Sequence, residues 1–183
     1  MKIRLAASLQ PDSIVDGAGI RTVIWTQGCS HNCKECHNPE THDFKGGFEV
    51  DVEDVERKID ELIGQDGITL SGGDPMFQPE ACNEIAMYAK SKGLNVWCYT
   101  GFTYEKLLEL SITKPIYKEF LSNIDVLIDG PFVLSKKSLD CTFRGSTNQR
   151  IIDTKKSLET GKVEVITKYD KKVKNEKKEC IFI

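Results

Sequence analysis

A chain of 183 residues with 25 basic and 28 acidic side chains, net charge −3, is sized for one domain with a real core. Its charge balance excludes a nucleic-acid groove or a polybasic membrane surface, and no apolar run reaches the length of a membrane span. The opening Met1-Lys-Ile-Arg-Leu lacks the apolar stretch of a signal peptide, so the seven cysteines are expected in a reducing cytoplasm, serving metals or chemistry.

Strand-like and helix-like stretches alternate, which predicts an α/β single domain with a mostly parallel sheet. Residues 21–27 read as the first strand, entered through Asp16-Gly-Ala-Gly and left through Gly28. A helix over 52–63 follows from apolar residues at helical spacing, with Gly64 as its stop. Next come a short strand at 67–70, a helix from Pro79 to Lys92 stopped by Gly93, and a strand at 95–99. Thr103 caps one short helix, and Thr113 with Pro115 starts another. Residues 125–129 form a fourth strand. Beyond Ser138 the pattern changes: 150–153 and 163–167 suggest a hairpin turning at 159–162, followed by a lysine-rich tail.

The chemistry concentrates in two loops. Cys29, Cys33 and Cys36 follow the first strand in Cys-x3-Cys-x2-Cys spacing. Three thiolates there can hold three corners of a [4Fe-4S] cubane and leave one iron open, because full protein ligation takes four cysteines. The same thiols with His37 or His31 form a competing Cys3His zinc set. The second loop, Ser71-Gly-Gly-Asp-Pro75, lets a ligand approach backbone without meeting a Cβ, and Asp74 offers a carboxylate to an ammonium group; an ordinary tight turn reads equally well. Both loops, with Thr100-Gly101 and Asp129-Gly-Pro131, leave the C-terminal ends of predicted strands and are expected to converge. Cys82, Cys98, Cys141 and Cys180 are too scattered for a second cluster and read as core or surface thiols. His42 reads as a surface residue on a polar loop, and His31 as a residue able to tune a cluster by hydrogen bonding.

Taken together, the loops resemble the radical S-adenosylmethionine (SAM) enzymes, whose Cys-x3-Cys-x2-Cys precedes a Gly-Gly-Glu-Pro-like segment. The narrower resemblance is to the activating enzymes of glycyl-radical proteins. It is carried by Asp16-Gly-Ala-Gly-Ile-Arg21 and by the cysteine loop from Gly28 through Cys36-His-Asn-Pro39. Trp97-Cys-Tyr-Thr-Gly101, Asp129-Gly-Pro-Phe132 and Arg144-Gly-Ser-Thr-Asn-Gln149 look most like the activators of anaerobic ribonucleotide reductases. The resemblance implies a partial (β/α) barrel, with a radical SAM core over 14–150 and an extension over 151–183. It also implies a [4Fe-4S] cluster on Cys29, Cys33 and Cys36. SAM would rest on Gly72, Gly73, Asp74 and the backbone around Glu35, Cys36 and His37. The implied partners are a large anaerobic ribonucleoside-triphosphate reductase, as protein substrate, and reduced flavodoxin or a similar electron donor. Asp16, Arg21 and Arg144 are candidates for contacting the partner loop, with an internal ion pair the other reading of Asp16 and Arg21; Arg144 or Arg150 could supply a positive charge near the SAM carboxylate. Two departures stand out: Glu35 replaces the aromatic residue common before the third cysteine, and Asp129-Gly-Pro replaces an Asp-x-Lys. A radical SAM enzyme acting on a small molecule and a non-catalytic iron–sulfur or zinc module are the alternatives.

Overall fold

The structure is a computed structural model that describes residues 1–170, so Cys180 and the lysine-rich tail lie outside the described residues. Eight strands form one sheet: β1 (Lys2–Leu5), β2 (Gln10–Ser13), β3 (Arg21–Thr26), β4 (Phe48–Asp51), β5 (Gly67–Gly72), β6 (Asn95–Tyr99), β7 (Val126–Asp129) and β8 (Arg150–Asp153). The order is β4-β1-β3-β5-β6-β7-β8, with β2 also on β3, and the path does not close on itself among the described residues. Its centre, β3-β5-β6-β7, is parallel, whereas β1, β2, β4 and β8 join antiparallel. The architecture is thus a mixed α/β domain with an open sheet, parallel through the middle.

Four helices cover one face: α1 (Val52–Asp60), α2 (Pro79–Ser91), α3 (Tyr104–Ser111) and α4 (Ile116–Asn123). Val52, Val55 and Ile59 of α1, and Ala81, Ile85, Ala86 and Ala89 of α2, fall at helical spacing and are buried. They pack with Ile24, Ile68, Leu70, Val96, Cys98 and Leu127 of the strands into the main core. Each Val, Ile or Leu among them contributes about 1.5–3 kcal/mol on burial. Pro79 opens α2 where a missing N–H costs nothing, and the Thr103 hydroxyl caps α3 by accepting from the Lys106 N–H. The other face of the sheet carries Trp97, Val126, Ile128 and Ile151, packed with Phe143, Ile166 and Tyr169. Helices therefore occupy one face and leave the other for the site.

At the C-terminal end the expected hairpin is replaced by a longer connection. β8 pairs with β7 at the edge of the sheet, and α5 (Thr154–Thr160) follows it, capped by Asp153 accepting from Lys156 N–H and ended by Gly161 at φ +69°. Residues 159–162, read as a hairpin turn, are the end of that helix. The chain still returns antiparallel, through a single bridge between Ile152 and Val165. Asp153 supplies a helix cap, which a tight two-strand turn would not use.

A cysteine-lined candidate active site at the strand ends

The parallel register puts Thr26 opposite Gly72 and Tyr99 opposite Ile128, so the loops after β3, β5, β6 and β7 meet on one side. Cys29, Cys33, Cys36, Gly72, Gly73, Thr100, Gly101 and Gly130 wall a single cavity of about 140 Å³. The four loops converge as their places in the sequence suggest. Beyond them lies a second cavity of about 610 Å³, lined by Asp16, Trp25, Phe143 and Arg144 among others. His37, Asn38, Ser71, Tyr99, Phe132 and Gln149 belong to both walls, so the two spaces adjoin. A volume of this size lies in the ~300–1,000 Å³ range of small-molecule sites.

Backbone contacts set the cysteine loop. Gly28 N–H donates to Thr41 O at 2.8 Å and Cys29 N–H to His42 O at 3.1 Å. Asn32 and Glu35 both take positive φ (48° and 59°), bending the chain between the thiols. Across the gap, Gly73 N–H donates to Thr26 O at 2.8 Å and Asp74 N–H to Gly28 O at 3.0 Å. The two glycines have an internal reason to be glycines. A Cβ on Gly72 would lie 2.4 Å from Thr26 O, and one on Gly73 would lie 2.5 Å from Gly28 O. The space a side chain would take is filled by the protein's own backbone, which locks the second loop against the first.

Asp74, expected to offer its carboxylate to an ammonium group, is engaged by the protein itself. Its carboxylate is 1% exposed and engaged on every side: Oδ1 accepts from Met76 N–H at 2.9 Å. Oδ2 accepts from Thr100 Oγ1 and Gly101 N–H, each at 2.9 Å, and bonds His31 Nε2 at 2.7 Å. Three of these bonds crowd Oδ2 and one falls on Oδ1, so most of the carboxylate's accepting capacity is spent inside the protein. It ties the cysteine loop, the Gly-Gly loop and the Thr100-Gly101 loop into one knot.

Other expected residues also find their places. Arg21 is 1% exposed and donates to Thr69 Oγ1, Ala18 O, Ile68 O and Asn95 O, with its guanidinium against the Trp97 ring. Burial lowers its pKa to about 10. It neither reaches a partner nor pairs with Asp16, whose carboxylate takes the Ser13 hydroxyl at 2.5 Å on the wall of the larger cavity. Arg21 thus fastens β3 to β5 and β6, and no ion pair joins it to Asp16, which stays on the cavity wall. Arg150 is likewise committed, to Asp129 and to both carboxylate oxygens of Glu105. Arg144 remains on the cavity wall, held by Gln149 O and Asp170, with its Nε buried and unpartnered. Glu35 is exposed and outside both walls, whereas His37 lines both and its ring packs 4.9 Å from Phe132.

Sequence reasoning missed three roles. Gln149 bonds Gly145 N–H, Ser146 N–H and Gly130 O, fixing the late loop over the strand ends. Tyr99 lines both cavities, and its alternation with Cys98 in β6 was the available signal. His42 is no surface residue: it is half-buried on the cysteine cavity wall with Nε2 sealed and unpaired. Cys82 and Cys98 are core thiols, and Cys141 lines the larger cavity.

The donor chemistry fits an iron–sulfur cubane. Burial pushes the Cys29 thiol up to about 11, opposed by the His31 backbone N–H, and burial also raises Cys33. Among the described residues lining their cavity there is no Lys or Arg to stabilise a thiolate. A metal would supply the missing positive charge, and the thiols would deprotonate on binding it. Among the described residues, no three His, Cys, Asp or Glu side chains converge as one ion would require, while a cubane spreads its thiolates over separate irons.

A family model described as a 4Fe-4S single cluster domain matches residues 15–152. An anaerobic ribonucleoside-triphosphate reductase-activating protein of Pasteurella multocida is 34% identical over 150 residues, covering 77% of this chain and 92% of that protein. The chain belongs to that family of activating proteins. The Escherichia coli K12 member is 34% identical over 147 residues (76% of this chain, 92% of that protein). The one from phage T4 is 32% identical over 152 residues (78% and 90%). A solved structure, QueE from Escherichia coli, aligns with 56% of this chain and 54% of its own at 16% identity and TM-score 0.45. Family membership makes this protein an activase-type enzyme with an iron–sulfur cluster.

Proposed function

We propose that this protein is a radical SAM activating enzyme that installs a glycyl radical on an anaerobic ribonucleoside-triphosphate reductase. The observation that carries the reading is the adjacency of the two cavities: three thiols and a Gly-Gly turn wall the first, and its far wall opens into about 610 Å³ of space. Cys29, Cys33 and Cys36 would hold three irons, leaving the fourth to the amino and carboxylate groups of SAM. The backbone of Gly72 and Gly73, and that of residues 35–37, would flank SAM, while Asp74 holds those loops in place from behind. When bound, cluster and SAM together would supply one-electron cleavage of the sulfonium bond and so the means to remove hydrogen from a glycine of the reductase.

What the chain itself contributes is enclosure and alignment. His37, Asn38 and Phe132 stand where the two cavities meet and would separate the reacting centre from water. Asp16 and Arg144 line the larger cavity and would meet the backbone of an entering loop. Reduced flavodoxin or a similar donor would provide the electron, in the cytoplasm; no described helix is long and apolar enough to cross a membrane.

The test is anaerobic. Reconstituted protein, SAM, reductant and the reductase should yield 5′-deoxyadenosine and a glycyl doublet by electron paramagnetic resonance. SAM cleavage driven by a small molecule and indifferent to the reductase would replace this reading with a small-molecule one. A loaded cluster with no SAM cleavage would leave an electron-transfer module.

A further inference from the structure

His42 ends the turn Pro39–Thr41, and its carbonyl accepts the Cys29 N–H at 3.1 Å, so the two residues are fastened together. His42 is part of the cavity wall shared with Cys29, Cys33 and Cys36. Its Nε2 is buried and has no hydrogen-bond partner among the described residues. A sealed ring nitrogen without a partner is costly and calls for an explanation, a water, an ion or a functional partner; beside three thiols a cluster is such a partner. The other two histidines are differently employed. His31 spends Nε2 on Asp74 at 2.7 Å, and His37 is exposed against Phe132.

We propose that His42 Nε2–H donates a hydrogen bond to a sulfur of the cluster, a cysteine thiolate or an inorganic sulfide, and thereby sets the cluster's reduction potential. Reduction adds negative charge to the iron–sulfur core and makes its sulfurs better acceptors. A fixed donor therefore stabilises the reduced form more than the oxidised one and raises the potential. His42 is a positioning residue for electron entry. The inference rests on the cluster, not on SAM cleavage or the identity of the protein substrate.

The experiment compares wild type, His42→Gln and His42→Leu, each reconstituted anaerobically and assayed first for iron and sulfide. Redox titration followed by electron paramagnetic resonance then gives the potential without any turnover. His42→Leu removes the donor and should disfavour reduction at least tenfold, a shift of about 59 mV to lower potential for one electron. His42→Gln keeps an N–H donor and should lie closer to wild type. A fully loaded His42→Leu protein at the wild-type potential overturns the inference and leaves the cluster reading intact. Should His42→Leu fail to hold iron, pulsed resonance on the reduced, 15N-histidine-labelled protein decides. A histidine nitrogen coupling present in wild type and missing in His42→Gln supports the inference; its absence from wild type overturns it. A wild-type protein that takes up no iron and sulfide overturns both.

Discussion

Replacing Asp74 by alanine separates an internal knot from a ligand contact. The carboxylate accepts four hydrogen bonds at 2.7–2.9 Å while 1% exposed, from Met76 N–H, Thr100 Oγ1, Gly101 N–H and His31 Nε2. Bonds to a charged acceptor are worth ~1.5–3 kcal/mol each, so a simple sum exceeds ~6 kcal/mol. That sum is too large, because the alanine variant no longer desolvates a carboxylate. Breaking a buried charged network from one side costs about 3–5 kcal/mol, the magnitude we adopt. Against a domain stability of roughly 5–15 kcal/mol, the loss is visible without SAM or cluster present. Guanidinium unfolding of the cluster-free, reduced protein should show a lower midpoint for Asp74→Ala at an unchanged slope. If the variant unfolds with wild-type stability and loses only affinity for SAM, the carboxylate acts on the ligand and the knot argument fails.

Four further outcomes follow from the same geometry. Gly73→Ala places a Cβ 2.5 Å from Gly28 O, a backbone atom that cannot swing aside, and should cost ~1–3 kcal/mol together with impaired cluster loading; wild-type iron content would contradict this. Serine at Cys29, Cys33 or Cys36 should abolish the characteristic cluster absorbance, whereas Cys82→Ala and Cys98→Ala, changes on the helix-covered face, should retain full iron and sulfide. Arg21→Ala strands the carbonyls of Ala18, Ile68 and Asn95 and should destabilise, at about 1–3 kcal/mol for each buried acceptor left unpaired, measured by denaturant midpoint. The Arg150 hydrogen bond holds the Glu105 pKa below its ordinary 4.5 against a smaller opposing effect of burial. Its folded value being the lower, that stabilisation is complete above pH 4.5 and fades as pH falls below it. Glu105→Gln should flatten this part of the acid limb in pH-dependent unfolding; an unchanged limb would count against the assignment.

The cysteine triplet, the Gly-Gly turn and the four parallel strands were legible because each has a local cause. Thiols at short spacing can reach one inorganic core, and runs such as Arg21–Thr26 and Val126–Asp129 are apolar enough to be buried on both faces. The outer strands were silent: Gln10–Ser13 and Phe48–Asp51 carry little apolar signal and become strands by pairing with β3 and β1. The C-terminal turn misled for a related reason, since a helix cap at Asp153 and a hairpin use the same polar, glycine-containing vocabulary.

Sequence alone determined which atoms are available for chemistry here: three thiols on one loop and a backbone free of Cβ atoms on the next. Tertiary structure alone decided how the charged groups were spent. Only burial and hydrogen-bond partners reveal that Asp74 and Arg21 are sealed inside the protein and that Arg150 is paired with Asp129 and Glu105. His42 looks like surface until its sealed nitrogen is found beside Cys29. A carboxylate, guanidinium or imidazole has the same chemistry wherever it stands, and its task depends on whether the fold has already satisfied it.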